Sequence, residues 1–254
     1  MEFHIECDAQ DIARYVFVPG DHDRAKKIAD HFDDARFVSD SRGYYVYTGT
    51  VDGIPMTVCS TGMGGPQVAM GIEELAHMGA DTFIRVGSCG TLQDHVTVGD
   101  LVVPTGIYRA GATADRYLPP AFPAAPDFAV LTTLVEAAED AGVKVHIGVG
   151  WSGDAFYAPG DPALIVKLKQ SGVLSLEMES DTLFIVSNFR GWRAGAIFAC
   201  DGTSTEIKPA WGEAAFREGE EQGIRIAIEA MKRIAQSDAA HHKADAMELS
   251  LIHI

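Results

Sequence analysis

Residues Gly62–Gly90, GMGGPQVAMGIEELAHMGADTFIRVGSCG, decide how the chain folds. A glycine-rich turn leads through Pro66 into a helix over Gln67–Met78, where Val68, Ile72, Leu75 and Met78 fall at helical spacing and Gly79 ends the run. Thr82–Val86 then reads as a buried strand that closes in Gly87-Ser88-Cys89-Gly90. A helix feeding an apolar strand is half of the crossover unit that builds parallel sheet. Upstream, Tyr44–Val51 and Met56–Thr61 flank the tight-turn pair Asp52-Gly53 and read as a hairpin. Earlier still, Tyr15–Pro19 is a short strand, Pro19-Gly20-Asp21 a turn, and Asp23–Phe32 a helix carrying Arg24, Lys26 and Lys27.

Downstream comes a strand at Asp100–Pro104, then a Pro- and Ala-rich loop from Arg109 to Pro126 that is long enough to cover a site. Asp127 caps a helix ending at Gly142, Val145–Trp151 is a strand, Pro162–Gln170 and Met178–Phe189 are helices, and Ala194–Cys200 is a strand. A last helix runs from about Trp211 to Ala235, with Ile224, Ile228, Met231 and Ile234 on one face. This alternation predicts an α/β fold, a three-layer α/β/α sandwich with a central mixed, mainly parallel sheet. With 254 residues and 47% hydrophobic content, one domain over residues 1–236 is expected. Residues 237–254, with His241, His242 and a polar run, read as a disordered or vector-derived tail.

Thirty-six Asp and Glu against 20 Lys and Arg give a formal charge of −16. Nucleic acid and anionic membrane are poor partners for such a chain, since each needs a basic footprint. Any anion must find a local pocket of positive charge. Cys7, Cys59, Cys89 and Cys200 show neither a CxxC pair nor metal spacing, and no apolar stretch nears the ~18 residues that span a bilayer. A reduced, cytoplasmic protein without a bound metal is expected.

Ligands of open α/β sheets bind beyond the carboxyl ends of strands, so the turns there are the candidate sites. Gly20 and Arg24 follow the first strand and could face an anion with N–H groups and a guanidinium, although a plain turn with a surface Arg fits as well. Gly62-Met63-Gly64-Gly65 is no dinucleotide fingerprint, because Gln67 stands where a third glycine belongs. Arg85 lies inside an apolar strand, which requires either a bound anion or an internal acid as its partner. Glu177-Met178-Glu179-Ser180 puts two carboxylates at a helix start, where helix capping explains one and a sugar site explains both. Asp201-Gly202 ends the last strand, as a simple turn or as a proton donor.

Together these segments resemble the nucleoside phosphorylase family of uridine, hexameric purine nucleoside and methylthioadenosine phosphorylases. The resemblance runs from His4 to Ile234 through Val18-Pro19-Gly20-Asp21 with Arg24, Ser41-Arg42-Gly43-Tyr44, Ser60–Pro66, Arg85–Gly90, Ser152–Tyr157 and Glu177–Ser180. It implies phosphate binding by Gly20, Arg24, Arg85, Ser88 and a neighbouring subunit's Arg42. It implies ribose binding by Met178, Glu179 and a neighbouring subunit's His4, and a base site at Cys89, Gly90, Phe156, Glu177 and Asp201. Asp201, Arg85 and Glu179 would carry the catalysis. The implied reaction needs no cofactor, inorganic phosphate being a co-substrate, and the implied assembly is a hexamer built as a trimer of dimers that share active sites.

Two features of the resemblance point to a purine nucleoside. Asp201 stands where the purine branch carries its acid, and Ala158-Pro159-Gly160-Asp161-Pro162 lacks the Gln-x-Arg pair with which uridine phosphorylases read a pyrimidine. Uridine is the alternative base. Arg217 is the nearest counterpart to a purine-branch Arg that approaches the acid, and it aligns only across a gap. Two other classes share the scaffold, a nucleosidase that uses water and a non-catalytic nucleoside-binding protein; the retained Arg set opposes the first, and Glu179 with Asp201 opposes the second.

Overall fold

Alternation along the strands sorts the side chains into two cores. Val16 and Val18 join Phe83, Ala196 and Phe198 on one side of the sheet, while Tyr15 and Phe17 join Ile84, Val86 and Ile197 on the other. The computed structural model describes residues 1–203 and 206–251, with side chains through His241. The strands are β1 (Tyr15–Phe17), β2 (Arg36–Ser41), β3 (Tyr44–Val51), β4 (Ile54–Cys59), β5 (Thr82–Thr91), β6 (Leu101–Ala110), β7 (Val145–Gly153), β8 (Ser175–Glu177) and β9 (Arg193–Thr203). The helices are α1 (His22–Ala29), α2 (Gly65–His77), α3 (Phe128–Asp140), α4 (Pro162–Gln170), α5 (Ser180–Arg190) and α6 (Glu213–Leu251).

The α/β/α expectation holds: α2 and α5 bury Ile72, Leu75 and Leu183–Val186 on one face, and α1, α3 and α6 bury Ile28, Leu134 and Ile224 on the other. The sheet order is β2-β3-β4-β1-β5-β8-β7-β6-β9, with β9 returning to pair with β5. One end of the sheet therefore closes into a ring, β5-β8-β7-β6-β9. The β1–β4, β1–β5, β5–β9, β6–β7 and β7–β8 pairings are parallel and the others antiparallel. Closure removes a free edge and concentrates the carboxyl ends of β5, β7 and β9 in one place.

Several boundaries differ from the sequence reading. β2 and β8 were not anticipated; Glu177 closes β8, and α5 starts only at Ser180. β6 runs through Arg109, whose guanidinium donates to the carbonyls of Pro119, Phe122 and Leu118 and to Asp115, so the long loop is wound around a buried cation. Gly111–Thr113 border α2 and α5 at the site, while the body of the loop lies over α5 with Tyr117 against Phe189, ring centroids 5.8 Å apart. The last helix does not stop at Ala235. It continues to Leu251, and Asp238 is fastened to Arg193 at 2.6 Å and to Tyr15 at 3.0 Å, which ties the expected tail to β9 and β1. Positions 252–254 of that tail lie outside the described residues.

Gly99, at φ +95°, donates to the Cys200 carbonyl at 2.8 Å, and a Cβ on Gly219 of α6 would fall 2.1 Å from the Gly99 carbonyl oxygen. Both positions need glycine.

Candidate active site

The turn after β1 shapes the first wall. The Asp21 side chain caps α1 by accepting from the Arg24 amide at 2.8 Å, and a Cβ on Gly20 would fall 2.8 Å from the Gly62 carbonyl and 3.8 Å from Arg85 Nη1. Only a bare backbone lets the β1 and β4 turns meet over that guanidinium. Arg24, 7% exposed, points inward, with Nε on Glu220 at 2.5 Å and Nη1 on the Val86 carbonyl at 3.5 Å. Lys27 shares Glu220 at 2.5 Å. Burial pushes the Glu220 carboxyl up, but Arg24 and Lys27 more than reverse this and hold it below the ordinary value.

Arg85, 4% exposed, is the centre of the arrangement. Its Nε donates to Glu177 at 3.1 Å, its Nη2 donates to Glu179, and its Nη1 is buried with no partner among the described residues. Burial opposes the charge, yet Glu179 and Glu177 outweigh it and keep Arg85 protonated. The sequence allowed either an internal acid or an anion as the partner, and the structure contains the acids while leaving one donor over, beside Gly20. A buried N–H pair without an acceptor costs free energy, so the unpaired Nη1 calls for an acceptor that the described residues do not supply.

Glu177 also accepts from the Glu179 and Ser180 amides at 3.1 and 3.0 Å, capping α5 as the sequence allowed. Glu179 accepts from the Gly64 amide at 2.6 Å, and burial raises its pKa against the opposing pull of Arg85. The Gly62–Gly65 stretch thus serves to orient a carboxylate. Met178, between the two acids, is half-buried.

Asp201 lies where the β5–β9 ladder slips: Cys89 pairs with Cys200 but Gly90 pairs with Gly202. The extra residue is a bulge, which turns the Asp201 side chain out of the ladder toward the site. Burial raises its pKa, partly offset by Lys208, by a hydrogen bond from Ser88 and by Arg24. Ser88, Asp201 and Arg24 therefore share one environment, next to buried Cys89 and partly exposed Gly90. Phe156 is 56% exposed and packs edge-on against Tyr157.

Two predicted residues, and Arg217, stand apart. Arg42, exposed, lies over the Phe3 ring at 5.3 Å, and His4 packs against the same ring with its Nδ1 2.5 Å from Glu74. Arg217 pairs with Glu213 on the exposed side of α6 and does not approach Asp201. Lys208, at φ +46°, does, with its Nζ 3.6 Å from the Asp201 carboxylate. Neither Lys208 nor Glu220 was anticipated. Lys208 lies in an aperiodic loop, and Glu220 is one acid among several on a helix.

The profile of the phosphorylase superfamily matches residues 14–237. The chain is 40% identical to the uridine phosphorylase of Thermococcus kodakarensis over 256 residues, covering 96% of this chain and 90% of the relative. It is 40% identical to the uridine phosphorylase of Treponema pallidum, covering 94% and 96%. It is also 40% identical to the guanosine phosphorylase of Halorubrum lacusprofundi, covering 78% and 82%. The crystal structure of uridine phosphorylase from Vibrio fischeri ES114 superposes with a TM-score of 0.86 at 32% identity, over 91% of this chain and 96% of that one. A buried arginine with a donor to spare, set between two acids at the strand ends of this fold, thus stands in a chain that belongs to the phosphorylase superfamily as a member of its nucleoside phosphorylase family.

Proposed function

We propose that the protein cleaves the N-glycosidic bond of a nucleoside with inorganic phosphate, releasing the free base and ribose 1-phosphate. The observation that carries this reading is the buried Arg85 Nη1 without an acceptor beside Gly20, with the Arg24 guanidinium on the carbonyl of neighbouring Val86. Phosphate held by Gly20, Arg24, Arg85 and Ser88 would attack the anomeric carbon as the bond to the base lengthens, its negative charge stabilising the cationic sugar. Glu179 and Met178 would hold the ribose hydroxyls. The departing base takes a proton, or hydrogen bonds in its place. No helix among the described residues is long and apolar enough to cross a membrane, and the four free cysteines suit a reducing cytoplasm.

Relatives carrying the uridine name support uridine as the base, in place of the purine that the sequence favoured. A second reading, a purine nucleoside such as guanosine, is supported by Asp201, whose half-buried carboxyl is pushed toward its protonated form and could donate to a purine ring nitrogen. Both bases are tested together. Release of uracil from uridine should depend on phosphate and exceed release of guanine from guanosine; equal rates without phosphate would show a hydrolase, and faster guanosine cleavage would favour the second reading.

The Phe3–His4–Arg42 group lies outside the Arg85 pocket and supports delivery of Arg42 and His4 to a neighbouring subunit. We accordingly propose a homo-oligomer, a hexamer formed as a trimer of dimers, which sedimentation will test.

A further inference from the structure

Asp181 is fully buried one helical residue beyond the Glu177-Met178-Glu179-Ser180 run, and none of the roles above uses it. Its Oδ2 accepts from the Gly111 amide at 3.1 Å, and its Oδ1 accepts from the Ser152 hydroxyl at 3.1 Å and the Thr182 amide at 2.6 Å. A Cβ on Gly111 would fall 2.6 Å from Asp181 Oδ2 and 2.8 Å from Asp154 Oδ1, so the loop start is clasped between two carboxylates. Ser152 is the ladder partner of both Arg109 and Glu177 and opens the segment that carries Phe156. Among the described residues no Lys, Arg or His pairs with Asp181. A carboxylate kept buried without a cation weakens the fold, so its retention calls for another reason.

We infer that Asp181 is a positioning residue, which locks the 111–126 loop and the Ser152–Phe156 segment against the Glu177–Glu179 end of α5. The inference rests on the phosphorolysis reading, because the parts it aligns are those assigned to ribose and base. An amide cannot replace it: whichever way Asn turns, its NH2 meets either the Gly111 or the Thr182 backbone N–H, and one donor is stranded. The charged groups facing Asp181 are Glu177 from β8 and Asp154 from beyond β7, both acids. Burial first and Glu177 second push the Asp181 carboxyl up to about 6, against the donors from Ser152, Thr182 and Gly111. A carboxyl whose pKa is raised by folding destabilises the fold on ionising, so this group lowers stability as pH rises from 3.8 toward about 6. The ionised clasp is held for alignment, at the expense of stability.

Asp181→Asn and the milder Ser152→Ala test this in the full chain. With uridine and phosphate, kcat/KM of Asp181→Asn should fall about 10- to 100-fold, while its melting temperature at neutral pH stays level or rises. Backbone amides of residues 111–126 should exchange hydrogen faster in Asp181→Asn. The wild type should show the same loosening about one unit below the Asp181 pKa of about 6, after correction for intrinsic exchange. Ser152→Ala should fall between the two. Unchanged exchange and kinetics, or an activity loss explained by a lowered melting temperature, would overturn the inference. If the wild type cleaves uridine and guanosine without phosphate, the phosphorolysis reading fails, and the exchange data still decide the role of Asp181.

Discussion

At the Arg85 end of the site, the charged groups are 4–7% exposed, rise from β5 and α1, and are fastened by carboxylates from β8, the N-cap of α5 and α6. At the Asp201 end they sit on a bulge and a loop, and Lys208, whose side chain is 74% exposed, provides the facing cation. One end is part of the core and the other is laid over it. Buried charge is stable only with every partner in place, so the Arg85 end tolerates little change. The Asp201 end can be rewritten at small cost to the fold.

The largest effect expected from breaking this contrast is at Arg85. Arg85→Ala should lower kcat/KM by about 10²–10³-fold and stability by about 3–5 kcal/mol, because Glu177 and Glu179 stay buried without their cation. Urea unfolding and steady-state kinetics on one preparation check both, and a variant of wild-type stability would show that the acids do not depend on Arg85. Next is Asp201→Asn, which should slow purine cleavage by about 10²-fold with unfolding unchanged and uridine cleavage little affected. Equal losses on both bases would mean that Asp201 belongs to the framework and does not read the base.

The smallest effect is expected at Lys208. Burial raises the Asp201 pKa and Lys208 pulls it down, so Lys208→Met should raise it further. A rate that needs protonated Asp201 would then persist to slightly higher pH, the effect kept small because Lys208 is exposed and the pair is solvent-screened. The pH profile of guanosine cleavage measures this, and a shift to lower pH would contradict the assignment.

Local order was legible where one segment decides it. The Gln67–Met78 periodicity located α2 to within two residues at either end, and Asp127 does cap α3 by accepting from the Val130 amide at 3.0 Å. β2 was missed because Arg36–Ser41 is polar and pairs only along one edge, leaving no apolar alternation to read. β8 was missed because it is three residues long and its last one, Glu177, looks with Glu179 like a helix start. Within the site, Arg85 was visible as a charge in an apolar strand. Glu220 and Asp181 were not, since their significance comes from contacts 196 and 70 residues away in sequence. Lys208 was not anticipated because no spacing rule shows which cation a loop will turn toward an acid; Arg217 aligned only across a gap.

The paired glycines at 99 and 219 extend the influence of the site to places without side chains. Gly99 is bonded to Cys200, the neighbour of Asp201, and lies against Gly219, the neighbour of Glu220. A methyl group at 219 would act as a wedge, lifting α6 and drawing the Glu220 carboxylate away from the guanidinium it restrains. How closely two bare stretches of backbone can touch thereby sets how firmly Glu220 restrains Arg24.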